Sequence, residues 1–411
     1  MSPARVLYVD LAPTPAGSIA SLKYLVRDLD RTRFTPILLL AQGNPAADHF
    51  REQGIEVHTI PSQQGRGVSF GGKVDAIRQG RVGAWVRSHP RVATVWHTVG
   101  ALGRWRRKLW PEAQRIRHVI QAVKPDLLHL NAELVVNRPA VMAAYLSRVP
   151  TVCHVRGWET WDIWDRWLSR AIDAYICISQ AVAQRLQAQK AIDVPIHVIY
   201  NGLDVADVPT TPRPGLYQTL GLSPDRPTIG IFGRLVPWKG HHIFVQALAE
   251  IARAMPHVQG IVVGGLEITA PTYLDELQGL AQGLGIADRL FFLGHRDDVL
   301  DLYALVDVLV HASVRDEPFG RVIIEGMAAA RPVVATRGGG TPEIVREGVT
   351  GFLVPQGDPR AMAQAVLRLL QDPELARRMG EAARADVVRR FDARETARQV
   401  MAVYDQVLRK G

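Results

Sequence analysis

The chain has 411 residues, 49 Lys and Arg against 40 Asp and Glu, a formal charge of +9, and 47% apolar residues. At roughly 150 residues per domain this suffices for two or three domains with cores of their own, and the ordinary composition excludes disorder, collagen-like repeats and a coiled coil. The two cysteines, Cys153 and Cys177, cannot form a disulfide framework or a four-cysteine zinc site, so a reducing compartment is expected.

The run Arg5-Val6-Leu7-Tyr8-Val9-Asp10 breaks into Pro-rich sequence and reads as a first strand, being too short for a signal peptide. No stretch of about 18 apolar residues lacks a charge or a Gly/Pro break, so no bilayer span is expected. The expected place is the cytoplasm or the cytoplasmic face of a membrane. Further strands are expected at Thr35–Leu40, Glu56–Ile60, Asp126–Leu130, Thr151–Val155, Ala174–Ile178 and His197–Tyr200, with helical periodicity at Ser18–Leu29 and Arg138–Ser147. Between them, residues 65 to 118 hold twelve Lys or Arg against Asp75 and Glu112, a local +10, together with Trp85, Trp96, Trp105 and Trp110. This mixture suits a helix on an anionic membrane surface or a solvated basic face, and nucleic acid is not expected as a partner.

Pro209, Pro212, Pro214, Pro224 and Pro227 mark a connection, after which the alternation restarts: strand Thr228–Phe232, helix His241–Met255, strand Gln259–Val263, helix Pro271–Leu284, then strands Leu290–Leu293, Val308–His311 and Val333–Ala335. A last helix spans roughly Arg394–Arg409. The expected fold is α/β, with two Rossmann-like doubly wound domains: 1–206, a linker 207–227, a second domain 228–390, and 391–411 packing back toward the first. Such sheets bind nucleotides at the carboxyl ends of their strands. No G-x-G-x-x-G follows a strand and no P-loop occurs; Asp28-Leu29-Asp30 ends a helix, and no Cys/His cluster suggests a metal. No metal and no cofactor are expected.

Strand Thr228–Phe232 runs into Gly233-Arg234 and, just before a helix, Lys239-Gly240. An Arg fork, a Lys point charge and helix N–H groups are what a diphosphate requires. Farther on, Glu317 and Glu325 are separated by seven residues in Glu317-Pro318-Phe319-Gly320-Arg321-Val322-Ile323-Ile324-Glu325. Glu317 belongs to a loop and Glu325 to a helix beginning near Arg321. There Glu325 can accept hydrogen bonds from a ribose or simply be satisfied by a neighbouring Arg. A second glycine turn, Gly338-Gly339-Gly340-Thr341-Pro342-Glu343, precedes another helix.

Together with Val262-Val263-Gly264, Phe292-Leu293-Gly294-His295 and Gly348-Val349-Thr350-Gly351, these motifs resemble the nucleotide-binding domain of the retaining GT-B glycosyltransferases of family 4. The likeness is strongest over residues 197–357. In the first domain it rests on Ala16-Gly17-Ser18, His129, His154-Val155-Arg156-Gly157, Ser179 and Tyr200-Asn201-Gly202-Leu203-Asp204. The resemblance implies two domains facing across a cleft and a nucleotide-sugar donor, with UDP or GDP left open. Gly233, Arg234 and Lys239 would meet the diphosphate, Glu325 the ribose, and backbone near His295 and Arg296 the base. Glu317, with the amides of Phe319 and Gly320 and the helix start at Arg321 and Val322, would hold the transferred sugar. Gly17 would let the first domain's loop approach the phosphates, although Ala16-Gly17 stands where many members have paired glycines. His154 would lie near the reacting sugar, with His129 and Asn131 as weaker candidates.

The expected activity is metal-independent, retaining transfer to a lipid-linked or polysaccharide acceptor in cell-envelope glycan synthesis. Glu317, His154, Arg234 and Lys239 carry it. Nucleotide-sugar epimerase or sugar-phosphate synthase chemistry, or a non-catalytic nucleotide-sugar-binding protein, are the alternatives. Sugar, acceptor and oligomeric state are not legible.

Overall fold

The computed structural model describes residues 2–11, 17–61, 109–189, 192–267 and 269–409. The chain divides into two compact units, one of Met1–Ile176, Arg185–His197 and Val400–Gly411, the other of Cys177–Gln184 and Val198–Gln399.

In the first unit β1 (Ala4–Asp10) leads to α1 (Gly17–Arg27), β2 (Phe34–Ala41), α2 (Ala46–Glu52) and β3 (Glu56–Ile60). Next come α3 (Trp110–Val123), β4 (Leu127–Leu130), α4 (Arg138–Ser147), β5 (Thr151–Val155), α5 (Ile163–Leu168), β6 (Ala174–Cys177), α6 (Gln180–Gln187) and β7 (Ile196–Val198), with Cys177–Gln184 and Val198 counted in the second unit. The sheet order is β3-β2-β1-β4-β5-β6-β7, with β1 parallel to both β2 and β4. Its central strands are buried on both faces and largely apolar; Val6 to Val9 and Ile37 to Leu40 are 0% exposed.

The second unit repeats the plan with β8 (Thr228–Phe232), α7 (His241–Ala254), β9 (Gln259–Val263), α8 (Tyr273–Gly283), β10 (Leu290–Gly294), β11 (Val308–His311), α9 (Arg321–Ala328), β12 (Val333–Thr336), α10 (Thr341–Ile344) and β13 (Gly351–Val354). Helices α11 (Pro359–Gln371), α12 (Pro373–Arg390) and α13 (Ala393–Leu408) follow, α13 belonging to the first unit from Val400 on. Its sheet, β10-β9-β8-β11-β12-β13, is parallel throughout. Helix α7 turns Phe244, Leu248 and Ile251 inward at helical spacing.

Each sheet therefore reverses its winding once, between β1 and β4 and between β8 and β11. Loops at the carboxyl ends of those strand pairs diverge and leave a ligand-sized gap, so the topology alone marks where chemistry-bearing residues belong.

Most of the basic segment expected between 65 and 118 lies outside the described residues. Its described end, 109–118, opens α3, which buries Ala113 and Ile116 in the first unit's core. No helix among the described residues is long and apolar enough to cross a membrane.

Candidate functional site

In the second unit the switch point gathers the expected residues from two loops. The loop after β8 carries Gly233, Arg234 and Lys239; the segment after β11 carries Ser313, Glu317 and Gly320. The two loops approach so closely that a side chain could not intervene. A Cβ on Gly240 (φ 73°) would stand 1.9 Å from the Ala312 carbonyl oxygen; on the other side, after β9, one on Gly264 (φ 155°) would stand 1.9 Å from that of Gly233.

Lys239 Nζ donates to Glu317 Oε2 at 2.7 Å and lies 4.3 Å from the centre of the Trp238 ring. The same Oε2 also accepts from Ser313 Oγ at 3.1 Å and faces His311 Nε2 at 3.3 Å. Among the described residues no hydrogen bond falls on Oε1, which leaves that oxygen to a ligand. Burial by itself would raise the Glu317 pKa, but the Lys239 charge and the His311 contact outweigh it and hold the carboxyl well below its usual range. The result is an anion fixed in position by three donors. His311 and Ser313 were not singled out from the sequence, although the Val308–His311 strand was. Their meaning appears only when the chain turns back from Ser313 to Glu317.

Gly320, at φ 111°, turns the chain into α9. As first residues of that helix, Arg321 and Val322 have amide groups without intrahelical acceptors, and these can meet hydroxyl or phosphate oxygens. The Phe319 ring is 2% exposed and packs against Tyr200 and Phe391, so any part it takes in binding is through backbone. The second glycine turn closes on the same loop, where Gly340 N donates to the Glu317 carbonyl at 2.8 Å.

Glu325 stands in α9 with both oxygens engaged: Tyr303 donates to Oε2 at 2.8 Å and Arg321 to Oε1 at 3.0 Å. The neighbouring-Arg partner is present, and so is a tyrosine that the sequence did not reveal. Tyr303 is stacked on Phe232, ring centres 4.1 Å apart, and this fixes the hydroxyl that orients the carboxylate. Arg234 is exposed and ion-paired with Glu267. His295 is 79% exposed beyond the end of β10, whereas Arg296 is clamped by both oxygens of Asp298 at 2.8 Å.

In the first unit the described residues place Gly17 at the start of α1; Ala16 lies outside them. His154 is buried at the end of β5, 3% exposed, with its ring 5.4 Å from that of His129 in an edge-to-face pair. Asn131, after β4, accepts from Arg156 and donates to Asp10 Oδ2 at 2.7 Å. His129 Nδ1 lies 2.7 Å from the Tyr404 hydroxyl, which α13 supplies.

Residues 216–386 match the model of glycosyl transferases group 1, and residues 46–207 match that of glycosyltransferase family 4. The chain is 30% identical over 311 residues, 75% of its own length and 82% of the other's, to the lipopolysaccharide core biosynthesis mannosyltransferase LpcC of Rhizobium leguminosarum bv. viciae. It is 29% identical over 311 residues to the N-acetyl-alpha-D-glucosaminyl L-malate synthase of Bacillus anthracis, covering 72% of this chain and 79% of that one. The Anabaena protein Alr3699/HepE, solved in complex with UDP and glucose, superposes with a TM-score of 0.75 at 27% identity, covering 98% of this chain and 100% of that one. Two parallel sheets of the same winding, the motifs on their switch-point loops and these relatives together make the chain a member of glycosyltransferase family 4, with the GT-B fold.

Proposed function

We propose that the protein is a metal-independent, retaining hexosyltransferase that moves a sugar from a UDP- or GDP-linked donor to a lipid-linked or polysaccharide acceptor in cell-envelope glycan synthesis. The observation that carries this reading is the Lys239–Glu317 pair at the switch point, an ammonium for the diphosphate joined at 2.7 Å to a carboxylate with one unengaged oxygen for sugar hydroxyls. Arg234 exchanges Glu267 for the diphosphate, and Lys239 adds the second cation. Between them they supply the charge stabilisation that a divalent ion gives in other transferases. Glu325, oriented by Tyr303, accepts from the ribose. Gly233 lets the diphosphate approach backbone, the loop at His295 and Arg296 meets the base, and the family resemblance assigns His154 to the sugar and Gly17 to the phosphates.

Retention is what the family resemblance implies, and Glu317 bears on the route by which it is reached. A carboxylate held by three donors, with its pKa depressed, is a weak nucleophile, so a glycosyl–enzyme intermediate is disfavoured. In the same-face alternative the bond from the anomeric carbon to the leaving phosphate breaks as the bond to the acceptor oxygen forms. The acceptor's hydroxyl proton passes to the departing phosphate oxygen. Relatives that include a lipopolysaccharide core mannosyltransferase and a phosphatidyl-myo-inositol mannosyltransferase support an envelope acceptor.

Incubation with a panel of UDP- and GDP-hexoses, with and without lipid-linked acceptor, tests the reading. Transfer to the acceptor supports it. Conversion of the donor to an epimer, or tight binding with no product under any pairing, overturns it.

The net +10 and four tryptophans of 65–118 support reversible attachment to anionic membrane. At about 1 kcal/mol per cation near such a surface, four well-placed Lys or Arg give useful affinity, screened beyond about 8 Å at physiological salt. Binding to phosphatidylglycerol vesicles should fall with salt and on Arg104/Arg106/Arg107→Glu substitution. Equal binding to neutral vesicles would leave the segment a solvated face.

A further inference from the structure

Side chains alternate along a strand, and the register sets Tyr8 beside His129 and His129 beside Val152. Tyr8, Asp10, His129, Asn131, His154 and Arg156 therefore share one face at the carboxyl ends of β1, β4 and β5. This polar row ends in a directed chain of contacts. Asn131 Nδ2 donates to Asp10 Oδ2 at 2.7 Å and to the Ser18 carbonyl at 3.2 Å, which orients its amide so that Oδ1 faces Arg156. The Arg156 guanidinium donates to that Oδ1 through Nη2 at 2.8 Å and Nε at 3.2 Å, and to the Asn131 carbonyl at 3.0 Å. Held in this way, the same Nη2 reaches His154 Nδ1 at 3.3 Å.

An arginine has donors and no acceptor, so His154 Nδ1 must accept. In the neutral ring the proton then lies on Nε2. Burial, and after it the charge of Arg156 and the neighbouring His129, push the His154 pKa well below that of free imidazole, so the ring is neutral. Its Nε2 is buried and has no hydrogen-bond partner among the described residues. A buried donor without an acceptor is a group awaiting an oxygen.

We propose that Arg156, clamped by Asn131, which Asp10 in turn holds, is a positioning residue that fixes His154 as its Nε2–H tautomer, so that His154 meets the substrate as a hydrogen-bond donor to an oxygen and not as a general base. This rests on the reading of His154 as a residue that faces the transferred sugar. Glu133, which accepts from the Arg156 amide at 3.1 Å, sets a carboxyl group beside the guanidinium, while Asp10 holds the Asn131 amide.

Nitrogen NMR of the full chain labelled in histidine tests the proposal, with the His154 signals identified by their loss in His154→Gln. The wild type should show protonated Nε2 and unprotonated Nδ1 at pH 7.5. In Arg156→Ala this preference should collapse to a mixture of tautomers, with kcat falling at least tenfold and donor KM little changed. Arg156→Lys keeps a donor and should recover both the tautomer and part of kcat. A proton on Nδ1 in the wild type, or an Arg156→Ala variant with unchanged tautomer and kcat, overturns the proposal. Because the spectrum is read without substrate, a protein that transfers no sugar sinks the functional reading while the spectrum still decides the tautomer.

Discussion

Glu317 and Glu325 are only eight positions apart, yet their surroundings give them different work. Glu317 is held on one oxygen by Lys239, Ser313 and His311, with the other oxygen unengaged among the described residues. Glu325 is oriented by Tyr303 and Arg321 within α9. Calorimetric titration with UDP and GDP should separate them. Glu325→Ala should weaken nucleoside diphosphate binding by about 1.5–3 kcal/mol, the usual size of a hydrogen bond to a charged group, while Glu317→Ala leaves that binding nearly intact and depresses transfer. Equal losses of affinity in the two variants would contradict the assignment. Because its folded pKa is depressed, Glu317 contributes stability that is present above its unfolded pKa of about 4.3 and is lost as pH falls below it.

At the scale of elements, the donor site depends on loops that touch through glycines. Gly240 caps α7 at φ 73° with its Cα against the Ala312 carbonyl, so Gly240→Ala adds both strain and a clash. We expect it to cost about 1–3 kcal/mol in denaturant unfolding and to raise donor KM; unchanged stability would mean that the two loops are not locked together. The elements themselves were largely legible. Thr228–Phe232, Gln259–Val263 and Val308–His311 form strands with the bounds expected from the sequence, because a strand buried on both faces reads as a short, mostly apolar run set off by polar or Gly/Pro-containing loops. Helix α12 was not anticipated: its sequence PELARRMGEAARADVVRR is polar enough to read as solvated surface, and only Met379, Gly380, Ala383, Asp386 and Val387 are buried. The side-chain network of the site was less legible than its backbone. Tyr303, Asp10 and Tyr404 act through partners far away in sequence, such as Tyr404 against His129, and no local pattern announces such a pairing; His311 meets Glu317 only because the loop after β11 folds back. Glycine turns and the Glu-x7-Glu spacing are local and could be read directly.

On the scale of the whole molecule, buried neutral histidines set a limit on acid tolerance. His241 is fully buried, and burial, aided by the nearby Lys239 and His242 charges, lowers its pKa to about 4. Between that value and the unfolded pKa of about 6.5 the unfolded chain takes up a proton that the folded chain refuses, so stability falls as pH falls. His129 and His154 are shifted in the same direction, also by burial first. Glu159, raised to about 7 by burial, works the opposite way over the same range. Replacing one group isolates its share. Relative to the wild type, His241→Gln should gain stability by about 2 kcal/mol between pH 7.5 and pH 5. A difference that does not vary with pH would show that His241 is not held neutral.

Proton NMR of a transfer reaction run in EDTA, with an α-linked nucleotide-hexose and a lipid-linked acceptor, tests the central claim most directly: a cation–carboxylate site performs same-face transfer without a divalent ion. The account predicts an α-linked product forming at the same rate with and without the chelator. A β-linked product, or turnover that stops in EDTA and returns with Mg²⁺ or Mn²⁺, would contradict it.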